Sequence, residues 1–203
     1  MKFRLAAAVS LCLAAGGCLS VLPEPQIPSA LISLPADRAV APADPLRADV
    51  AVYPPDSTRA FAGVDIAVRT DQELVYLGEV RWVDTAPRLL QNAVVDSLSK
   101  AGGAGRAVTA QQGARVDYDV RWRIVDMAAG RDTAPVKVEV IVSLMDSTTR
   151  RVVAQQTLTA TGSPSDRAPR ARAAAMALAA QSVADQVAAF AAKNAVPKAT
   201  PAN

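Results

Sequence analysis

Two runs of strict alternation constrain this chain more than anything else in its sequence. Val116, Tyr118, Val120, Trp122 and Ile124 occupy every second position, and Arg115, Asp117, Asp119, Arg121 and Arg123 fill the places between. Side chains on a strand point to opposite faces at a period of two, so this stretch reads as a half-buried β-strand with a charged outer face. Val136, Val138, Val140, Val142 and Leu144 repeat the pattern against Lys137, Glu139 and Ser143. A third run, Val152 to Thr161, follows turn residues Asp146-Ser147-Thr148-Thr149. Successive strands with short connections predict an antiparallel meander.

The first half adds weaker strand signals at Ala48 to Tyr53, Val64 to Arg69 and Leu74 to Val80. A turn at Thr70-Asp71-Gln72 predicts that the last two form a hairpin. Asp84 or Thr85 then precedes a helix with Pro87 in its first turn, where a missing N–H does no harm. Leu90, Val94 and Leu98, supported by Ala93, form its apolar side. Gly102-Gly103 reads as its stop and turn rather than a phosphate cradle, because no helix follows. An alanine-rich helix is predicted from about Asp166 to Lys193. Its stripe of Met176, Ala180, Val183, Val187 and Phe190 suits packing on the domain's own sheet. The alternative is a seam with a second subunit, hence a homo-oligomer. The expected fold is α+β, an antiparallel sheet of about six strands with two main helices packed against it.

The N-terminus speaks to compartment. Lys2 and Arg4 precede an apolar stretch from Leu5 to Leu13, and Leu13-Ala14-Ala15-Gly16-Gly17 lead to Cys18. A charged start, a short apolar segment and small residues before a cysteine form a secretion signal ending in a lipobox. Cys12 competes poorly, because Val9-Ser10-Leu11 places a bulky residue where a small one is needed. Residues 1–17 are therefore expected to be a signal peptide, and 18–30 a lipidated N-terminus and proline-containing tether. A domain over 31–193 and a disordered tail over 194–203 complete the expected organisation. Diacylation of the Cys18 thiol and acylation of the new amine would attach two or three chains, and about 0.8 kcal/mol per buried CH₂ makes that a stable anchor. Leu19 follows the cysteine, not the aspartate that commonly retains lipoproteins at the inner membrane. The expectation is the periplasmic face of the outer membrane.

Composition narrows the function further. The formal charge of +3 loses Lys2 and Arg4 with the leader, leaving no broad electrostatic case for nucleic acid. The chain has no histidine, and Cys18 carries lipid. Zinc sites of Cys and His, disulfides, Ser-His-Asp triads and Cys-His pairs are thus excluded, and no acid–base constellation is visible. The expectation is a protein that is not an enzyme, with no metal and no cofactor beyond the covalent lipid on Cys18.

Several stretches carry a family resemblance. Val52-Tyr53-Pro54-Pro55, Val64-Asp65-Ile66-Ala67-Val68-Arg69-Thr70, Glu73-Leu74-Val75-Tyr76, Arg81-Trp82-Val83-Asp84 and Pro87-Arg88-Leu89-Leu90-Gln91-Asn92-Ala93-Val94 follow one another in order. This series resembles the ABC-type transport auxiliary lipoproteins, the PqiC-like proteins associated with Mce-type lipid transport. It covers roughly residues 30 to 190 and is most specific between Pro54 and Leu98. The resemblance implies a binding and scaffolding role beside an Mce-domain protein, a permease and an ATPase. No P-loop for driving transport occurs in the chain itself. The alternative is a lipoprotein that activates or scaffolds a cell-wall enzyme of the envelope.

The partner-binding candidates are Tyr53, Pro54, Pro55, Tyr76, Arg81 and Trp82. Tryptophan, tyrosine and arginine concentrate binding energy at interfaces. The competing reading puts Trp82 over the core, with Arg81 paired to Asp84 or another carboxylate. Tyr53-Pro54-Pro55 is either a stiff aromatic loop or a strand terminus. Arg121 and Arg123 read as a solvated sheet face with cross-strand pairing.

Overall fold

The computed structural model describes Pro28 and residues 30–198. The leader, Cys18 and most of the expected tether lie outside the described residues. Eight strands form one sheet: β1 (Ala30–Ile32), β2 (Val50–Val52), β3 (Asp65–Thr70), β4 (Glu73–Trp82), β5 (Ala107–Thr109), β6 (Tyr118–Ala129), β7 (Val136–Asp146) and β8 (Val152–Gly162). Two helices, α1 (Ala86–Ser99) and α2 (Pro169–Asn194), complete the α+β domain.

The meander β6-β7-β8 is antiparallel, as the alternation predicts. The rest corrects the expectation of a wholly antiparallel, six-stranded sheet. β2 runs parallel to both β5 and β6, β1 runs parallel to β4, and β3 runs parallel to β6. The physical reason is β6, which is long enough to pair with two different strands along one edge. Its first residues, Tyr118 to Val120, take β2, and its last, Ala128 and Ala129, take β3. Of the three-residue strands, β1 is templated by the long β4 and β2 by the long β6, and β5 in turn pairs with β2.

β6 also carries a bulge. Ile124 faces Val140, but Asp126 already faces Glu139, so Val125 is the extra residue. Since the side-chain period is two, one added residue reverses which positions face inward. Before it Val120, Trp122 and Ile124 are buried, and after it Met127 and Ala129 are.

The helices cover the face onto which Val136, Val138, Val140, Val142 and Leu144 point, each fully buried. Thr85 is the N-cap of α1 and Pro87 lies in its first turn, and neither Thr85 nor Asp84 makes the usual side-chain cap. Instead the Arg88 and Leu89 N–H groups donate to the Thr85 carbonyl. Leu90, Val94 and Leu98 are buried as their spacing requires.

α2 lies centrally, against the sheet on one side and α1 on another. Met176, Ala180, Val183, Val187 and Phe190 are all buried within the domain, so the stripe serves the protein's own core. So are Ala173, Ala175, Ala177, Ala179, Ala184, Ala188, Ala191 and Ala192. Short side chains let the helix axis approach its neighbours closely, as Gly162 shows: a Cβ there would stand 2.9 Å from the Ala175 carbonyl oxygen. By length and composition this helix is apolar enough to cross a membrane, yet it is mostly buried in the domain. Between the helices the Ser97 hydroxyl donates to Asp185 at 2.6 Å and the Gln181 amide at 2.9 Å, which satisfies the buried polar groups there.

The stretch expected to fray after Asn194 is docked where it is described. Ala195 is fully buried, the Tyr118 hydroxyl donates to the Val196 carbonyl at 2.9 Å, and Lys198 pairs with Asp146 at 2.9 Å.

Candidate functional site

The six candidate residues fall into three different environments. The first is a concavity of about 630 Å³ lined by Pro28, Asp65, Tyr76, Leu77, Gly78, Glu79 and Arg81. A wide irregularity in the β3–β4 hairpin builds it. Asp65 pairs with Arg81 and Ala67 with Tyr76, so β4 takes five steps where β3 takes two. Within that excess Leu77 and Val80 both turn into the core, at 8% and 0% exposure, which forces Gly78 and Glu79 outward. Glu79 adopts φ +66°, a left-handed conformation that costs a side-chain-bearing residue about 1–2 kcal/mol. Such strain persists where the surroundings fix it. The Arg81 Nε lies 3.0 Å from Asp65 Oδ1, with both side chains about two-fifths exposed. Asp84, the carboxylate first expected for Arg81, instead pairs with Arg88 at 3.5 Å. Tyr76 is half exposed beside this pair. Tyr76 and Arg81 therefore share one accessible surface.

Trp82 does not join them. It is 3% exposed and lines a tight interior space with Phe61, Ile66, Ala86, Met127 and Met176. Neighbouring residues on a strand face opposite ways, so Arg81 at the surface sends Trp82 inward.

Tyr53, Pro54 and Pro55 occupy the third environment, at the far end of β6. They extend β2 along it: the Tyr53 N–H donates to the Val120 carbonyl, the Asp56 N–H to that of Trp122, and the Ile124 N–H to that of Asp56. The two prolines sit where no ladder bond is made, so the segment is a continuation of the strand rather than a free loop. The Trp122 indole N–H donates to the Tyr53 carbonyl at 2.7 Å, fixing it further. The Arg121 guanidinium stacks 3.2 Å above the Tyr53 ring. Arg121 thus departs from the cross-strand pairing expected of it. Sequence reasoning missed Asp65 and Glu79; the signal was Gly78-Glu79 interrupting the alternation of a strand, a mark of a bulge.

One titration follows from the hairpin beside Tyr118. Asp146 Oδ1 accepts the N–H groups of Thr149 at 2.7 Å and Thr148 at 2.9 Å. The Thr149 bond, then Lys198, hold the Asp146 carboxyl far below the usual range. A depressed folded-state pKa contributes stability above the unfolded value, about 3.9, and that contribution disappears as pH falls through the folded value. The urea midpoint of Asp146→Asn is therefore expected below that of the unsubstituted protein at pH 7, with the gap closing as pH drops well under 4. A gap independent of pH would contradict this account.

The fold has solved counterparts. The protein XCC0632 from Xanthomonas campestris superposes with a TM-score of 0.67 at 23% identity, over 76% of this chain and 91% of that one. A second crystallised protein, described only as uncharacterized, gives 0.61 at 13% identity, over 82% and 99%. At these identities the likeness concerns the fold. PelC from Paraburkholderia phytofirmans, crystallised as a dodecamer, is more distant, with a TM-score of 0.47 at 15% identity over 76% and 94%. Among curated proteins, none matches this sequence. The family model for ABC-type transport auxiliary lipoprotein components matches residues 31–188, essentially the whole described domain, and the chain belongs to that family.

Proposed function

We propose that this protein is the lipid-anchored docking component of an Mce-type ABC lipid transport system, tethered through Cys18 at the periplasmic face of the outer membrane. It binds a partner and performs no chemistry. Family membership supports a transporter partner and an envelope location. The observation that carries the docking role is the exposed Tyr76 beside Arg81, at the strained bulge of the β3–β4 hairpin. An amphipathic aromatic ring next to a guanidinium is the composition of an interface hot spot. The surface loses little when emptied: an ion pair this exposed contributes at most about 1 kcal/mol.

Affinity capture from detergent-solubilised membranes tests the reading. The full-length protein is expected to retrieve an Mce-domain protein, and Tyr76→Ala/Arg81→Ala to retrieve it at a tenth of that yield or less, in line with about 1.4 kcal/mol per factor of ten. Thermal unfolding of the double variant checks that the fold persists. Recovery of cell-wall synthases alone would overturn the proposal. Cys18→Ala is expected to abolish palmitate labelling and outer-membrane fractionation; persistent labelling would remove Cys18 as the acceptor.

A further inference from the structure

β8 is the long open edge of the sheet. It pairs antiparallel with β7 from end to end, and among the described residues no strand lies on its other side. Natural sheets protect an edge by keeping it short, by placing charge or proline on it, or by bending it at a bulge. The other edges follow that rule. β1 and β5 have three residues each, and the part of β4 that β1 leaves uncovered carries Glu73 and the irregular Gly78-Glu79. β8 does not follow it. Its 11 residues, Val152–Gly162, include neither a charged side chain nor a proline, and its bulge, at Val153, lies at the very start.

Hydrogen-bond parity identifies the open backbone groups. The Asp146 N–H donates to the Arg151 carbonyl at 2.9 Å, so the even-numbered residues of β7 bond toward β8. Antiparallel pairs alternate between bonded and non-bonded. With the observed register, Ala154, Gln156, Leu158, Ala160 and Gly162 bond to β7, and Gln155, Thr157, Thr159 and Thr161 turn their N–H and C=O groups outward. The Gln186 amide of α2 reaches the Thr159 carbonyl at 3.3 Å, an exposed contact where the N–H of an added strand would otherwise donate. The side chains of Gln155, Thr157, Thr159 and Thr161 are exposed as well.

We infer that a second copy of this chain adds its own β8 along this edge, antiparallel about a two-fold axis at Leu158, so that two sheets become one. About that axis Thr157 faces the second copy's Thr159, and Gln155 faces its Thr161. The outward N–H and C=O groups therefore meet their own kind on both strands, and no like charges are opposed. The ends are complementary in charge: Arg151 precedes the strand and Asp166 follows it, and antiparallel pairing brings the Arg151 end of one copy toward the Asp166 end of the other. The α2 stripe offers no competing seam, because it is buried within the domain. Tyr76 and Arg81 lie on β4, across the sheet from β8, so the pairing leaves the transporter-docking surface uncovered.

Sedimentation equilibrium of the full-length protein, in a non-ionic detergent with micelles in large excess, tests this by mass. A monomer–dimer equilibrium is expected. Thr159→Pro removes an outward N–H but no bond to β7, and Thr157→Lys places a charge in the new seam; each is expected to weaken the dimer about tenfold or more. Val75→Lys, on the open edge of β4, should leave it unchanged. Thermal unfolding checks the fold of each variant, and Thr157→Lys carries the test if the proline variant unfolds. Oxidation of a mixture of Thr157→Cys and Thr159→Cys proteins is expected to link the two, since the Cα atoms of a bonded antiparallel pair stand about 5.5 Å apart, within disulfide reach. A monomer at every concentration, or an assembly that both Thr159→Pro and Thr157→Lys leave intact, would overturn the inference. So would β8 amides that gain protection from hydrogen exchange only when a captured transporter protein is present, which assigns the edge to a foreign strand.

Discussion

Gly103→Ala is expected to lower unfolding stability by about 2–5 kcal/mol, combining backbone strain with overpacking. Gly103 has φ +96°, a conformation that side chains rarely adopt, and a Cβ there would stand 2.2 Å from the Leu46 carbonyl oxygen. Leu46 has no room to retreat. Its N–H donates to the Gly102 carbonyl at 3.0 Å, its carbonyl accepts the Gly105 N–H at 2.9 Å, and its side chain is 1% exposed. Gly102→Ala provides the control: φ there is +66°, but a Cβ meets open space. That variant is expected to lose only about 1–2 kcal/mol, the backbone cost alone. Urea denaturation of both variants separates the two contributions, and equal losses would refute the clash at Leu46.

The second large effect is at Trp82, where truncation to alanine is expected to cost about 3–5 kcal/mol. Its ring is 3% exposed, among Phe61, Met127 and Met176 from different parts of the chain. Removing it opens a cavity under the start of α1 that these side chains fill only partly. Arg81→Ala, one residue away, should change stability by about 1 kcal/mol or less, because its ion pair is exposed. Chemical denaturation of the two variants gives the comparison. A Trp82→Ala protein as stable as Arg81→Ala would place Trp82 outside the core.

These adjacent residues show what was legible in the sequence. Alternation says that one of Arg81 and Trp82 faces the core, and the structure supplies which. The meander was legible because β6, β7 and β8 each state their own inward positions over many residues. The parallel pairings were not, since a three-residue strand such as β5 carries no period, and its partner is fixed by distant residues of β2. β6 was read as ending at Ile124 because the Val125 bulge reverses the phase, so Met127 and Ala129 no longer fit the pattern before them. The candidate site divides similarly. Residue types pointed to Tyr76 and Arg81, but bringing Asp65 and Glu79 beside them needed the uneven pairing of β3 and β4. The stacking of Arg121 on Tyr53 joins residues far apart in sequence, which no local spacing reveals.

The alanine content of α2 has a consequence for how the chain reaches its compartment. A polypeptide exported as proposed must pass a translocation channel that releases sufficiently hydrophobic segments sideways into lipid, and leucine, isoleucine, phenylalanine and valine drive that release. A 26-residue core helix built from those residues would itself act as a membrane stop. α2 reaches full burial through close approach rather than through large side chains, with alanines at most of its inward positions. In the exported chain proposed above, the same choice that lets Gly162 pack against Ala175 leaves this helix less apolar than a leucine-rich one of equal length, which favours its passing the membrane as unfolded chain over stopping in it.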